Sequence, residues 1–210
     1  MLDLVKGDTR LIIDACRKQG LLRNQVAYVL ATAYWETNQS MKPVKEAYWL
    51  SEDWRRKNLR YYPWYGRGYV QITWEANYKR YGITNPDDAL KPDVAAHILV
   101  DGMKNGIFRG GKKLSDYITL QKSDFKAARD IINGDQSKVV DGERIDEKLA
   151  RFAREYDALL KADGYGVVVR ETPVREIQPP LPSTDAPQSE KPGFLAAIFN
   201  FILKLLGKGA

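Results

Sequence analysis

The chain is poor in the residues that most hydrolytic chemistry uses. Among its 210 residues there is one cysteine, Cys16, and one histidine, His97. A single cysteine excludes an intramolecular disulfide, so burial has to hold the fold together and no oxidising compartment is needed. A zinc hydrolase draws on two or three histidines or on several cysteines, so no metal or other cofactor is expected. A Ser-His-Asp hydrolase would have to recruit His97, and there is no Gly-x-Ser-x-Gly turn to present its serine. A Cys16–His97 dyad is chemically conceivable. Yet Cys16 lies one turn after Ile12 on an apolar helical stripe, and His97 sits in a helical run with Val94, Ile98 and Leu99. Both read as structural, which leaves carboxylates to do any hydrolysis. The start, Met1-Leu2-Asp3-Leu4-Val5-Lys6, lacks the basic opening and apolar run of a signal peptide, which predicts a protein that stays cytoplasmic until something releases it.

What is present is an ordinary globular composition, 44% hydrophobic and 29% charged, with a net charge of +6 that favours an anionic partner. The length suits one core with an appendage. The aromatic residues are unevenly placed. All five tryptophans fall between Trp35 and Trp74, and nine of the twelve tyrosines between Tyr28 and Tyr81, whereas none of the six phenylalanines does. Tyr and Trp join an apolar ring to a polar handle and suit half-wet surfaces; a simple core would have drawn Phe as well. Glu36 and Glu46 lie inside this region, ahead of a Gly-flanked polar segment, in the manner of a cleft for a sugar polymer with its acids in place. The same region admits a rival. Trp54 to Tyr69 carries Arg55, Arg56, Lys57, Arg60 and Arg67 among aromatics with no acid, which also fits a non-enzymatic protein binding single-stranded nucleic acid or another polyanion.

Taken in order, Asp8-Thr9 is predicted to cap a first helix with Leu11, Ile12, Ala15 and Cys16 inward and Gly20 at its end. Asn24 is predicted to cap a second, with Val26, Val29, Leu30 and Ala33 as its buried stripe. Glu36 continues that apolar face, either as a paired core ion or as a desolvated acid, for which burial would favour the protonated carboxyl. Residues 38–63 read as irregular with short helical pieces. Tyr69 to Thr73 alternates like a half-buried strand, with Gly66 and Gly68 allowing a close approach before it. Helices are expected over Trp74–Tyr81, from Pro92 through Met103, over 124–132 capped by Ser123, and over roughly 143–162. Six of the ten prolines fall between Glu171 and Gly193, so residues 167–193 read as a linker between an enzyme domain (1–166) and a C-terminal segment (194–210). As a helix, 194–206 would reach about 20 Å, short of the roughly 30 Å core of a bilayer, with Asn200, Lys204 and Lys208 on one stripe. Contact with an anionic membrane surface, apolar side down, is the expectation for it.

Tyr65-Gly66-Arg67-Gly68-Tyr69-Val70-Gln71-Ile72-Thr73, followed by Asn77-Tyr78, resembles glycoside hydrolase family 19. This is the chitinase-like family whose lysozyme-like branch includes bacteriophage and prophage endolysins. The likeness extends to Trp35-Glu36-Thr37, to Gly111–Tyr117 and to Ala128–Gly134. It implies a mostly α, lysozyme-like domain with a small β-element, hydrolysing the glycan strands of peptidoglycan as a monomer, without a cofactor and with no nucleic-acid partner. By that resemblance Glu36 is the general acid, Glu46 the best match to the second carboxylate with Glu52 and Asp53 close by, and Thr73 the hydroxyl that holds the attacking water. Tyr65, Arg67, Gln71, Asn77, Tyr78 and Asn133 match the segments lining the sugar cleft. Trp35 stands where chitinases usually carry histidine, and the loop between the glutamates is short, as in the endolysin branch. One protonated and one ionised carboxyl are what single-displacement, inverting hydrolysis needs. A chitinase and a lytic transglycosylase, which would need only Glu36, are the neighbouring possibilities.

Overall fold

The centre of the molecule is a helix with no solvent face. In the computed structural model, which describes residues 2–166, α2 (Arg23–Glu36) has every residue from Val26 to Tyr34 buried. Alanines at positions 27, 31 and 33 let neighbouring helices approach closely, and a helix apolar on all sides is one that is surrounded. The predicted stripe was therefore too narrow. Along α2 runs α7 (Ile145–Ala162), through Leu149, Phe152 and Tyr156; Tyr34 meets Phe152 edge-on at 5.1 Å. α1 (Thr9–Lys18) packs instead on α5 (Pro92–Asn105), whose end is set by Gly106 in the left-handed region.

Between α2 and α5 the chain makes small elements. β1 (Val44–Lys45) pairs antiparallel with β2 (Arg67–Gly68), and α3 (Glu52–Asn58) bridges them, capped by Ser51 Oγ accepting from Trp54 N–H at 3.1 Å. α4 (Glu75–Arg80) and a 3-10 turn (Pro86–Leu90) follow. Beyond α5 come α6 (Leu114–Tyr117), a second 3-10 turn (Ala127–Ile131) and the hairpin of β3 (Val139–Val140) with β4 (Glu143–Arg144). The described residues are mostly helical with a few short strands, and no helix among them is long and apolar enough to cross a membrane. The linker and C-terminal helix expected over 167–193 and 194–210 lie outside the described residues.

Several local expectations are corrected. Asp8 precedes α1 without capping it, because its carboxylate accepts from the Tyr69 hydroxyl at 2.7 Å, and Leu11 points outward. Asn24 lies inside α2 and donates to the Thr119 carbonyl, while Gln25 Oε1 accepts from Leu22 N–H at the helix start. The 3-10 turn replaces the helix predicted over 124–132, and Ser123 does not cap it; Asp124, before the turn, accepts from Ala127 N–H. Tyr69–Thr73 is not a strand. Arg67 and Ile72 close a tight loop, Tyr69 and Val70 are both buried, and Gln71 turns the chain with φ +56. Burial of Tyr69 against Asp8 outweighs the alternation. His97 is on the outer face of α5 against Tyr81, whereas Cys16 is fully buried, which pushes its thiol pKa up. Burial of Cys16 makes it a packing residue, as expected; exposure of His97 does not bear out the core position expected for it.

Candidate active site

Glu36 ends α2, and of the two readings, paired ion or lone desolvated acid, its carboxyl takes the first. Oε1 accepts from Arg129 Nη1 at 2.6 Å, leaving the side chain 18% exposed, and Oε2 accepts from no donor among the described residues. Arg129 comes from the second 3-10 turn and is 2% exposed. Its Nε and Nη2 also donate to Asp135 at 2.7 and 3.1 Å, so one guanidinium joins two acids. Burial works to lower the pKa of Arg129, but hydrogen bonds and charge from Asp135 and Glu36 prevail and raise it, keeping the cation intact. Behind Glu36 on the same face, one and two turns back, lie the buried hydroxyls of Thr32 and Tyr28.

Glu46 follows β1 and is held at both oxygens. Oε1 accepts from the Tyr61 hydroxyl and Oε2 from the Gly66 backbone N–H, each at 2.8 Å. Burial first, then the hydrogen bond and charge of Glu46, push the Tyr61 phenol up to about 12, so it stays a donor at neutral pH. The absence of a side chain at Gly66 makes this possible: a Cβ there would stand 2.8 Å from Gln71 Oε1 and 3.1 Å from Glu46 Oε2. Tyr61 meets Trp74 edge-on at 5.0 Å, and Arg60 lies 5.2 Å over the Trp74 ring. Trp74 is exposed, as are Tyr48, Trp49, Trp54 and Tyr62. The segments that carry the two carboxyls touch, since Asn38 Nδ2 donates to the Tyr48 hydroxyl at 3.3 Å.

Glu52, the alternative second carboxylate, is a clamp. It accepts from Arg55 Nε at 3.0 Å and from the Tyr65 hydroxyl at 3.0 Å. Burial would raise its pKa, yet those two hydrogen bonds hold it below the usual carboxylate range. Arg55 is itself buried and donates to the carbonyls of Ala47 and Leu50, which folds the loop after Glu46.

The remaining predicted residues divide by exposure. Tyr65, Arg67 and Tyr78 are buried, which corrects their assignment as ligand contacts. Arg67 lies 3.7 Å over the Tyr65 ring and donates to Asp87 at 2.8 Å and to the Pro63 carbonyl at 2.8 Å; the Tyr78 hydroxyl donates to the Tyr65 carbonyl at 2.6 Å. They build the wall behind Glu46. Gln71 Nε2 donates to the carbonyls of Val44 and Gly68, and Asn77 Nδ2 to the Thr73 carbonyl, so both shape the loop while half-buried. Thr73 is half-buried, and Asn133 is exposed beside Asp135. Arg129, Asp135 and Tyr61 were not singled out from sequence. An arginine next to Asp130 in the otherwise apolar stretch from Ala127 to Ile132 is the one signal that pointed at the first.

Backbone strain gathers here as well. Asn38 and Gln39 after Glu36, Ala47 after Glu46, and Gln71 and Trp74 all have φ between +47 and +70. Side chains rarely adopt that region, and such residues collect at sites where geometry is over-determined by its surroundings. Comparison with protein-family models, with curated proteins and with solved structures finds no match.

Proposed function

We propose that the protein is a glycoside hydrolase that cleaves the glycan strands of bacterial peptidoglycan, in the manner of the family 19 endolysins its motifs resemble, and lyses the wall once released from the cytoplasm. The observation that carries this reading is a pair of carboxyls, each oriented by its own hydrogen bonds, beside a surface of exposed tryptophan and tyrosine. Sugar rings stack on such aromatic faces, and acid–base cleavage of a glycosidic bond requires two carboxyls. Glu36, with Oε2 free, is assigned the general acid. Glu46 is assigned the base, and Thr73 the hydroxyl that orients water between them. The hydrogen bond from Arg129 fixes Oε1, so Oε2 is the oxygen left to carry the proton that a general acid delivers.

The polyanion-binding alternative draws less support. Arg55 and Arg67 are buried and paired with Glu52 and Asp87, and Arg56 pairs with Asp53 at 2.8 Å, so most of the segment's cations are already engaged.

Mass spectrometry of products from purified glycan strands and from chitin oligomers tests the proposal. Reducing muramic acid ends are expected. Anhydro ends would make the protein a transglycosylase, cleavage of chitin alone a chitinase, and no cleavage a binding protein. Glu36→Gln is expected to slow cleavage by at least about 10²-fold, the usual scale for a general acid. The fold should survive, because Arg129 keeps Asp135. A folded Glu36→Gln variant with near wild-type rate would remove Glu36 from the mechanism.

A further inference from the structure

A concave site lies at the same helix end. A pocket of about 450 Å³ lies between the end of α2, the β3–β4 turn and α7. Trp35, Gln39, Asp141, Lys148, Arg151 and Phe152 are among its walls. Trp35 immediately precedes Glu36, so their Cα atoms stand about 3.8 Å apart.

The charges in the pocket are unevenly placed. The Lys148 side chain is 10% exposed and its ammonium lies 5.4 Å from the Trp35 ring centroid. It donates to the Val140 carbonyl at 2.9 Å and to Asp141 Oδ2 at 3.3 Å. Asp141, its one carboxylate partner among the described residues, is 84% exposed. The cation is therefore inside and its counter-ion outside in water, which screens the pair while leaving the ammonium largely desolvated. Glu143 is the other acid that feels this ammonium, and it is held by Arg151, so a carboxylate entering beside Lys148 takes the place of the solvent-screened Asp141 as its counter-ion. Arg151, one turn along the same face of α7, is half exposed at the rim and pairs with Glu143 at 2.8 Å and Glu155 at 3.6 Å. Gln39 Oε1 accepts from the Tyr34 hydroxyl, which turns its amide nitrogen away from that partner as a further donor. Trp35 and Phe152 supply apolar wall.

We infer that this pocket receives a carboxylate of the short acidic peptide that branches from the glycan strand. The inference rests on the proposed glycan substrate, because the peptide branches from the sugar chain and the pocket stands next to the proposed acid. Lys148 meets the carboxylate, Arg151 guides it from the rim, and Trp35 lies along the peptide's aliphatic part. A site so built sets which wall chemotypes are cleaved well: peptides with free carboxylates over those whose carboxylates are amidated.

The test is binding, and needs no cleavage. The full chain is titrated with the alanyl-γ-glutamyl-diaminopimelic acid tripeptide, following the five tryptophan indole N–H signals by NMR, with Trp35 assigned through Trp35→Phe. The Trp35 signal should move, and the fully amidated tripeptide should bind about tenfold more weakly, the scale of one charge-assisted hydrogen bond. Lys148→Gln should weaken binding to a similar degree, Arg151→Gln by several-fold, and Lys148→Arg should keep most of it. Arg151 is half exposed, so its variant remains informative if Lys148→Gln does not fold. Equal affinity for the free and amidated peptides, no shift of Trp35, or wild-type affinity in both folded Gln variants would overturn the inference. Peptide binding without glycan cleavage would instead overturn the proposed function and leave the pocket standing; cleavage without peptide binding would do the reverse.

Discussion

At Arg129 one buried guanidinium serves two acids, and the consequences of removing each differ. Replacing Asp135 with Asn removes the charge that accepts from Nε and Nη2, leaving Glu36 as its remaining carboxylate. Weakening a buried charge pair without deleting either side chain should cost about 1–3 kcal/mol of stability, read from urea unfolding midpoints. Glycan cleavage should fall as well, because the guanidinium that orients Glu36 loses its second anchor. An Asp135→Asn variant as stable and as active as the wild type would show that the second acid holds nothing. Glu46 and Glu52 separate by the same logic. Glu46 is bound to a phenol and a backbone N–H beside exposed rings, whereas Glu52 is bound to buried Arg55 and Tyr65. Glu46→Gln is expected to lower the cleavage rate by at least about 10²-fold with little change in stability. Glu52→Gln is expected to lower stability and keep most of the rate. Kinetics and denaturation on both variants check this, and the opposite pattern would exchange their roles.

Among the elements, β1, β2 and the 3-10 turn Pro86–Leu90 are joined by one carboxylate. Asp87 accepts from Arg67 at 2.8 Å and from Lys45 at 3.1 Å. Burial would raise its pKa, but the hydrogen bonds from Lys45 and Arg67 and their charge hold it below the usual carboxylate value. A folded value below the unfolded one means that the unfolded chain takes up the proton first as pH falls. The stabilisation is therefore complete above about pH 5 and declines as pH drops below about 4 and through the lowered folded value. The Asp87 side chain is 51% exposed, so solvent screening limits the contribution to under about 1 kcal/mol. The stability gap between wild type and Asp87→Asn should accordingly be constant from about pH 7 to about pH 5 and shrink toward about pH 3. Unfolding midpoints across that range measure it, and a gap that widens in acid would contradict the assignment. α2 shows the other way elements decide the site. Because all its sides from Val26 to Tyr34 are packed, its last turn is held fast, and Glu36 inherits that rigidity.

Across the whole molecule the net charge of +6 is the feature an anionic wall would sense first. Near the aromatic surface the exposed cations are Lys57, Arg60 and Arg56, the last in a solvent-screened pair with Asp53, whereas Arg55 is buried and holds the loop after Glu46. Replacing Arg56, Lys57 and Arg60 together with Gln should weaken sedimentation with purified wall mainly at low salt. Exposed charges are screened beyond about 8–10 Å at moderate ionic strength, so the difference from wild type should fade as salt rises. A defect that persists at high salt would point to specific recognition by one of these side chains.

Most helices were legible in the sequence where a period of apolar residues ended at a residue that stops helices, although the stretch 124–132 gives only a 3-10 turn. Gly20 follows α1, Pro92 opens α5 and Gly164 follows α7, because proline fits a first turn and glycine accepts the left-handed conformation that ends a helix. Glu36 was picked out because it continues the apolar run of α2, and Glu46 through the motif that follows it; their catalytic roles belong to the proposal. What local pattern could not supply were pairings between residues far apart in the chain. Arg129 reaches Glu36 across 93 positions, Tyr69 reaches Asp8 across 61, and Glu46 meets Gly66 across 20. Each of these satisfies a polar group in a place where water is excluded, and burial is a property of the assembled molecule. For the same reason Tyr65, Arg67 and Tyr78, which in sequence look like a polar surface, form the buried support of the site. The sequence by itself determined the helical class and the crowding of tryptophan and tyrosine into one stretch, since these depend on residue type and spacing. Only the tertiary structure decided which charges are spent on holding the site together and which face outward.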